Sequence, residues 1–264
     1  LNTSNKHIVL KTKDLSIGYC SKSGVNSVAK EINIHLEKGK LVCLLGKNGI
    51  GKSTLLRTLS KTQHALGGTV YLNNQDLASI ASSEMAKEMS LVLTDRIPDS
   101  QLSVFELVAL GRQPYTNWLG KLSSEDHQKA KKAIAQVGIE AIAAKKYYEL
   151  SDGQLQKVMI ARALAQDTAI IILDEPTAHL DMHHKIEVFK LLQNLVKNTG
   201  KTIILSTHEV NLALKIADIL WLMTPRNFLS GSLQEHIAQK NLEELFPSKQ
   251  IKFDPVSEQF ILQN

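Results

Sequence analysis

GKNGIGKST, residues 46–54, fits the pattern G-x-x-x-x-G-K-[ST], with Gly46, Gly51, Lys52 and Ser53 at its defining positions. An apolar run, LVCLL at 41–45, leads in, and LLRTL at 55–59 leads out with helix-compatible residues and no proline. The pattern therefore sits between a predicted strand and a predicted helix, the context its chemistry needs. Glycines at 46, 49 and 51 have no Cβ, so the backbone can curl tightly and turn several N–H groups inward as an anion-binding nest. A helix beginning near Lys52 adds its positive end. Lys52 can then reach the β and γ phosphates of a polyphosphate, and the Ser53 hydroxyl is placed to ligate Mg²⁺. Lys47, Asn48, Ile50 and Thr54 complete the same cradle.

The composition fits an enzyme-sized globular chain. With 264 residues, 43% hydrophobic and 22% charged, there is material for one large or two smaller cores. A net charge of +5 suits an anionic partner, but no block of lysine and arginine is as dense as a nucleic-acid-binding arm. Two cysteines, Cys20 and Cys43, do not make a disulfide framework, so a reducing compartment is expected. No run of eighteen apolar residues occurs, so no membrane-spanning helix is expected. The first residues, LNTSNKHIVLK, lack a basic-then-apolar leader; the initial leucine reads as a trimmed end, and a cytosolic location is the default expectation.

Working outward, residues 7–19 read as strand with a turn glycine, followed by a polar turn at 21–24. EINIHLEKG at 31–39 alternates, placing Ile32, Ile34 and Leu36 on one face. GGTVYLNN at 67–74 reads as a strand, and EMAKEMSLVLTD as a helix running into an apolar strand at 90–94, broken by Pro98 and Asp99. From about 95 to 165 the text is helical. Ser103 with Glu106 forms a capping box ahead of a stop at Gly111, and Ser123 or Ser124 caps a helix that stops at Gly138. AIIILDEP (169–176) and TIILSTH (202–208) read as strands buried on both faces, separated by a helix ending at Gly200. NLALKIADIL reads as a further helix, SLQEHI carries a Ser232–Glu235 capping box, and EQFIL reads as a strand. Strands alternating with helices imply a parallel sheet with its ligands at the carboxyl ends.

Asp174 and Glu175 end a buried strand, where two acids are costly unless a cation or a reacting water uses them. Beside a phosphate loop, Asp174 can hold the Mg²⁺ shell opposite Ser53 while Glu175 polarises an attacking water. His208, at the next strand's end, can hydrogen-bond a γ-phosphate. Taken alone, that histidine and Tyr19 read as structural residues, Tyr19 as strand-end core. His179 and His183, at i and i+4 with His184 following, have helical metal-pair spacing, and KAKK at 129–132 reads as a solvated helix face.

The stretch LSDGQLQKVMIARALAQ at 150–166, taken with the loop, IIILDEPTAHLD and STH, resembles the ATP-binding cassette family in the order and spacing of all four motifs, over essentially the whole chain. The resemblance implies an α/β fold: a RecA-like P-loop NTPase core (1–94 and 166–264) with an antiparallel β subdomain, and an α-helical subdomain inserted at 95–165. It also implies ATP hydrolysis with Mg²⁺, with LSDGQ as the signature motif, AHLD (178–181) as the D-loop, His208 as the switch histidine and Tyr19 as the aromatic stacked on adenine.

Ser151, Asp152, Gly153 and Gln154 then form an anion site at a helix start that closes, with Asp181, on the ATP of a second copy. Two departures stand out. Asp152 replaces a usual glycine, and Thr94, in SLVLTD, stands where a glutamine reaching for Mg²⁺ and water is usual; Asp95 or a bridging water is expected to substitute.

LVALGRQPYTNWLG and the DEPTAHLD run look like the ATPase subunits of importers for ferric siderophores, haem and cobalamin. That likeness implies a homodimer at the cytoplasmic face of the cell membrane beneath a permease dimer, supplied by an extracytoplasmic binding protein, with no nucleic acid expected. A permease helix would be received between Thr94 and about Trp118, where Phe105, Leu107 and Tyr115 serve either docking or lobe packing. Other readings are a soluble cassette acting on nucleic acid or ribosomes and a non-hydrolysing ATP sensor. Against them stand the lack of a second cassette or long insertion, and intact Glu175 and His208.

Overall fold

The computed structural model describes residues 7–21, 24–93, 100–246 and 250–263. The chain begins with strands β1 (Ile8–Ser21), β2 (Gly24–Ile32), β3 (His35–Glu37) and β4 (Leu41–Leu45). Helix α1 (Lys52–Leu59) leads to β5 (Gly67–Leu72), β6 (Gln75–Asp76), α2 (Ser82–Glu88) and β7 (Met89–Val92). Helices α3 (Val104–Ala109), α4 (Ser124–Val137) and α5 (Asp152–Ala165) follow. Alternation then returns with β8 (Ile170–Asp174), α6 (Met182–Thr199), β9 (Thr202–Ser206), α7 (Val210–Ile216) and β10 (Ile219–Met223). The chain closes with β11 (Phe228–Gly231), α8 (Leu233–Ala238), β12 (Ile251–Asp254) and β13 (Gln259–Leu262).

The central sheet runs β11-β10-β4-β9-β8-β7, parallel throughout except for the edge strand β11. Strands covered on both faces must be apolar on both, which is why LVCLL, IIIL and TIIL show no polar alternation. The pleat divides them between two cores. Leu41, Cys43, Leu45, Ile171, Leu173, Ile203 and Leu205 face one core together with α5 and α6 residues such as Ile160 and Phe189. Val42, Leu44, Ile170, Ile172 and Ile204 face the other, with Leu55, Leu56 and Leu59 of α1.

Over that second face lies an antiparallel sheet, β2-β1-β5-β6 with β3 on β1, which sends Leu10, Leu15 and Ile17 into the same core as α1. β1 therefore carries Tyr19 to the start of α1.

Between β7 and β8, helices α3, α4 and α5 pack on one another around Val104, Val108, Ala130, Ile134, Val158 and Ala161. Capping boxes start α3 (Ser103 with Glu106) and α4 (Ser123 with Asp126), and Gly138 at φ 70° stops α4. Of the two serines weighed from the sequence, Ser123 is thus the cap. Arg112, buried in the turn after α3, donates from Nε to Asp126 Oδ1 at 2.9 Å and from Nη1 to the Ala165 carbonyl at 2.8 Å. The Tyr115 ring covers its guanidinium at 3.9 Å. One side chain thereby joins the start of α4 to the end of α5. The Ser123 hydroxyl, reinforced by Arg112, brings the Asp126 pKa down to about 2.

Some expected elements differ. NLALKIADIL is not one helix: α7 ends at Ile216, and Ile219 and Leu220 open β10. Asp218 accepts the Leu41 N–H at 2.8 Å, which anchors the chain to the sheet and lets ILWLM bury itself as a strand. Residues 31–39 are split between the end of β2 and β3, with Glu31 at φ 56°, although Ile32, Ile34 and Leu36 are all buried as expected. Gly18 is inside β1 rather than at a turn; a Cβ there would lie 2.1 Å from the Asn26 carbonyl of the paired strand.

Candidate active site

Strand order places the carboxyl ends of β4, β9 and β8 side by side. In register, Leu44 faces Ser206, and Ser206 faces Asp174. The phosphate loop leaves β4, the two acids leave β8, and His208 leaves β9, so three separated motifs converge on one sheet edge.

The loop is shaped by its glycines. Gly49 and Gly51 have φ of 73° and 112°, in the region glycine favours, and a Cβ on Gly51 would sit 2.1 Å from Val28 Cγ1. Gly46 is equally confined, since a Cβ there would meet the Met223 carbonyl at 2.6 Å. Helix α1 starts at Lys52 with no side-chain cap and no acid in its first turn, leaving its dipole end to an anion. Lys47, Asn48 and Gly49 are exposed, Ile50 and Ser53 half-buried, and Thr54 buried. Lys52 is buried, and its Nζ donates to the carbonyls of Gly46 (3.0 Å) and Lys47 (3.3 Å). Burial lowers the pKa of this amine, an effect opposed by the nearby Glu175 carboxylate. Tyr19 is exposed rather than core, and its hydroxyl is 2.6 Å from Thr54 Oγ1, so its ring stands beside the loop helix.

Glu175 lies 3.6 Å from Lys52 Nζ, and its Oε1 is 2.6 Å from His208 Nε2. Its φ of 47° turns it out of the strand direction. Asp174 stays buried and accepts a hydrogen bond from the Ser206 hydroxyl at 2.6 Å. Lys52 from the loop pattern, the adjacent acids Asp174 and Glu175, and His208 from the family resemblance are therefore neighbours. Ser206 had no assigned role. The one available signal was a hydroxyl directly after the buried aliphatic run at 203–205.

Ser151 caps α5, accepting the Gln154 N–H at 3.3 Å, while the Gln154 Oε1 accepts the Ser151 N–H at 3.3 Å. Asp152 is exposed in the first helical turn, where an acid suits the dipole. Gly153 is buried against α6: a Cβ on it would lie 2.5 Å from His184 Cδ2. His184 is in turn fixed by Asp181, the N-cap of α6, with Nδ1 2.9 Å from both carboxylate oxygens. Asp181 also accepts the His184 backbone N–H at 2.9 Å, and that bond, then the ring, lowers its pKa. The signature stretch and residues 178–181 are thus in contact within one chain, through a histidine that the sequence groups with a candidate metal pair. Lys185 Nζ bonds Glu209 at 2.5 Å, tying α6 to the residue after His208.

The ligand atoms of His183, His184 and Glu187 lie within 4.8 Å of one another, but Glu187 pairs with Lys157 at 2.9 Å and His184 with Asp181, so these groups serve to join α5 and α6. Thr94 and Asp95 lie outside the described residues. Leu107 is core, Phe105 stacks on His127 at 5.5 Å, and Tyr115 covers Arg112. Trp118 is almost wholly exposed. Among the described residues no helix is long and apolar enough to cross a membrane.

For a magnesium ion the chain offers a hydroxyl, Ser53, and a carboxylate, Asp174, both hard oxygen donors at the mouth of an anion-binding loop. That donor set fits Mg²⁺ bound between protein and phosphate oxygens.

Comparison with known proteins agrees with this geometry. The family model for the ABC transporter matches residues 29–178, more than half of the chain. The achromobactin transport ATP-binding protein CbrD of Dickeya dadantii is 37% identical over 240 residues, covering 90% of this chain and 87% of its own length. The petrobactin import ATP-binding protein FpuD of Bacillus anthracis is 36% identical over 249 residues, covering 94% and 90%. A dimeric structure of the ATP-binding cassette MJ0796 in a post-hydrolysis state, bound to ADP and Pi, superposes with a TM-score of 0.71 at 27% identity, covering 84% of this chain and 98% of that one. A family match over more than half of the chain, and relatives 36–37% identical across at least nine-tenths of it, show that the chain belongs to the ABC transporter family and is an ATP-hydrolysing cassette.

Proposed function

We propose that this ATPase drives uptake of a ferric siderophore or a related iron chelate through a membrane permease, acting as a pair of copies. The observation that carries the catalytic part is the contact set at Glu175, with Lys52 at 3.6 Å and His208 at 2.6 Å. In this reading the loop amides of residues 46–54 and Lys52 hold the β and γ phosphates, and Tyr19 supports the adenine. Glu175 takes a proton from the attacking water while His208 hydrogen-bonds the γ-phosphate. Ser53 and Asp174 would hold Mg²⁺, which when bound would neutralise charge on the phosphate oxygens. Ser151, Gly153, Gln154 and Asp181 act on the nucleotide of the other copy, so each site is completed by two chains.

The cargo is inferred from the relatives that serve achromobactin and petrobactin import. The helical lobe of α3, α4 and α5 is the part that a permease helix contacts at the cytoplasmic membrane face, and an extracytoplasmic binding protein delivers the chelate. A ribosome- or nucleic-acid-directed role is less well supported: among the described residues, the longest helix between α1 and α5 is α4, with 14 residues, and no coiled-coil arm is built there.

Deletion of the gene followed by re-supply provides the test. Wild-type protein is expected to restore uptake of a radiolabelled ferric siderophore, and Glu175→Gln to be produced normally, bind ATP and restore none. Uptake of the tested chelates that is indifferent to the deletion would remove the cargo assignment, and restoration by Glu175→Gln would remove the base.

A further inference from the structure

Ser206 is the last residue of β9 and has no exposed surface. The residues before it, Ile203, Ile204 and Leu205, are fully buried aliphatics, a setting in which a hydroxyl is costly unless both its donor and its acceptor capacity are used. Here both are used, one on the carboxylate that ends β8 and one on the backbone of the residue that follows it. The Ser206 Oγ donates to Asp174 Oδ1 at 2.6 Å and accepts the Glu175 backbone N–H at 2.9 Å. Register alone explains why one atom reaches both groups, since Ser206 is the β9 partner of Asp174, where β8 ends.

The two bonds have separate consequences. Donation to Oδ1 fixes the rotation of the Asp174 carboxylate, which in the reading above faces magnesium. Acceptance of the Glu175 N–H secures the peptide at which the chain leaves the strand with φ 47°, a conformation uncommon for a residue with a Cβ. That turn is what directs the Glu175 side chain to Lys52 and His208. His208 itself is two residues beyond Ser206, so the strand that brings the switch histidine also sets the angle of the two acids.

We propose that Ser206 is a positioning residue for hydrolysis, its single hydroxyl orienting the magnesium-binding Asp174 and the base Glu175 together. The inference rests on the roles given to those two acids. It requires no contact between Ser206 and ATP.

The test uses the full chain with Ser206→Ala, Ser206→Thr, and the controls Asp174→Asn and Glu175→Gln. Steady-state hydrolysis gives kcat and KM, Mn²⁺ titration of the nucleotide complex followed by electron paramagnetic resonance gives metal affinity, and a fluorescent ATP analogue in chelator gives metal-free binding. Outer hydrogen bonds of this kind are worth roughly 10- to 100-fold in metal affinity or activity. Ser206→Ala is therefore expected to lower kcat and Mn²⁺ affinity by at least about 10-fold. Metal-free binding, KM and the melting transition are expected to hold, and Ser206→Thr, which keeps the hydroxyl, to recover both losses.

Wild-type kcat and Mn²⁺ affinity in Ser206→Ala would overturn the proposal. So would parallel loss of metal-free binding and of the melting transition, which marks a packing role, or a folded Ser206→Thr that recovers neither quantity. The controls separate the levels: turnover surviving in Asp174→Asn or Glu175→Gln refutes the acid assignments themselves, whereas their silence beside an unimpaired Ser206→Ala refutes only the role of the serine.

Discussion

Gly153 shows how narrowly a single position can be determined here. Its missing side chain is replaced by the ring of His184, which Asp181 holds at 2.9 Å, so an added methyl meets a ring that is not free to swing away. Gly153→Ala is expected to displace the signature from the start of α5. A displacement of about 1 Å in a group that must meet a phosphate can cost on the order of 100-fold in rate. Hydrolysis at high protein concentration should fall accordingly, while a fluorescent ATP analogue should bind the phosphate loop of the same variant as it binds wild type. Loss of that binding as well would show that the defect is not confined to the signature. Lys52 was legible from the phosphate-loop pattern, Asp174 and Glu175 because two acids ending a buried strand have few structural uses, and His208 only through the family resemblance. His184 and Ser206 were not, because their partners are reached across a helix contact and a strand pair. Tyr19 was misplaced by its own residues: its aromatic ring reads as core, yet β1 carries it out to the exposed flank of α1.

At the scale of elements, the helices between β7 and β8 hang together on the buried Arg112–Asp126 pair at 2.9 Å. Removing one member of such a pair leaves the other charge without compensation and costs about 3 kcal/mol or more. Asp126→Asn is expected to loosen α4 from α5 to that extent, measured by amide exchange across α3, α4 and α5 with the sheet as internal reference. The same pair predicts a direction with pH. Because the Asp126 pKa is depressed to about 2, its stabilisation is complete above the ordinary carboxylate value and disappears as pH falls toward 2. Protection of these helices, corrected for intrinsic exchange and referenced to the sheet, should therefore fall below about pH 4 in wild type and show less of that acid response in Asp126→Asn.

Elements with strong punctuation were readable. Ser103, Ser123 and Ser232 cap where expected, and the glycines at 138 and 200 stop their helices. β2 was missed because its pattern, GVNSVAKEI, is polar and largely exposed, so it has no inward-facing stripe to betray it. The α7–β10 boundary was missed because an anchor as distant as the Leu41 amide, not local propensity, decides it.

At the scale of the whole molecule, the parallel arrangement of the central sheet follows from its buried strands and their helices, while the order β11-β10-β4-β9-β8-β7 required the structure. Each chain carries a phosphate loop and, on α5, a signature that in the proposed pair serves the other copy. Hydrolysis per chain should therefore rise with protein concentration in dilute solution and level off when the pair is saturated. Glu175→Gln should elute as a dimer with ATP and Mg²⁺ and as a monomer without nucleotide. A constant turnover from a verified monomer would contradict the shared site.

The two cysteines open a direct view of this event. Cys43 is sealed inside β4, where burial pushes its thiol well above the ordinary range, whereas Cys20 is exposed one residue from Tyr19. A maleimide dye added to the native protein is consequently directed to one place per subunit, beside the Tyr19 ring. Mixed donor and acceptor labelling would turn the approach of the two subunits into an optical signal with no engineered residue.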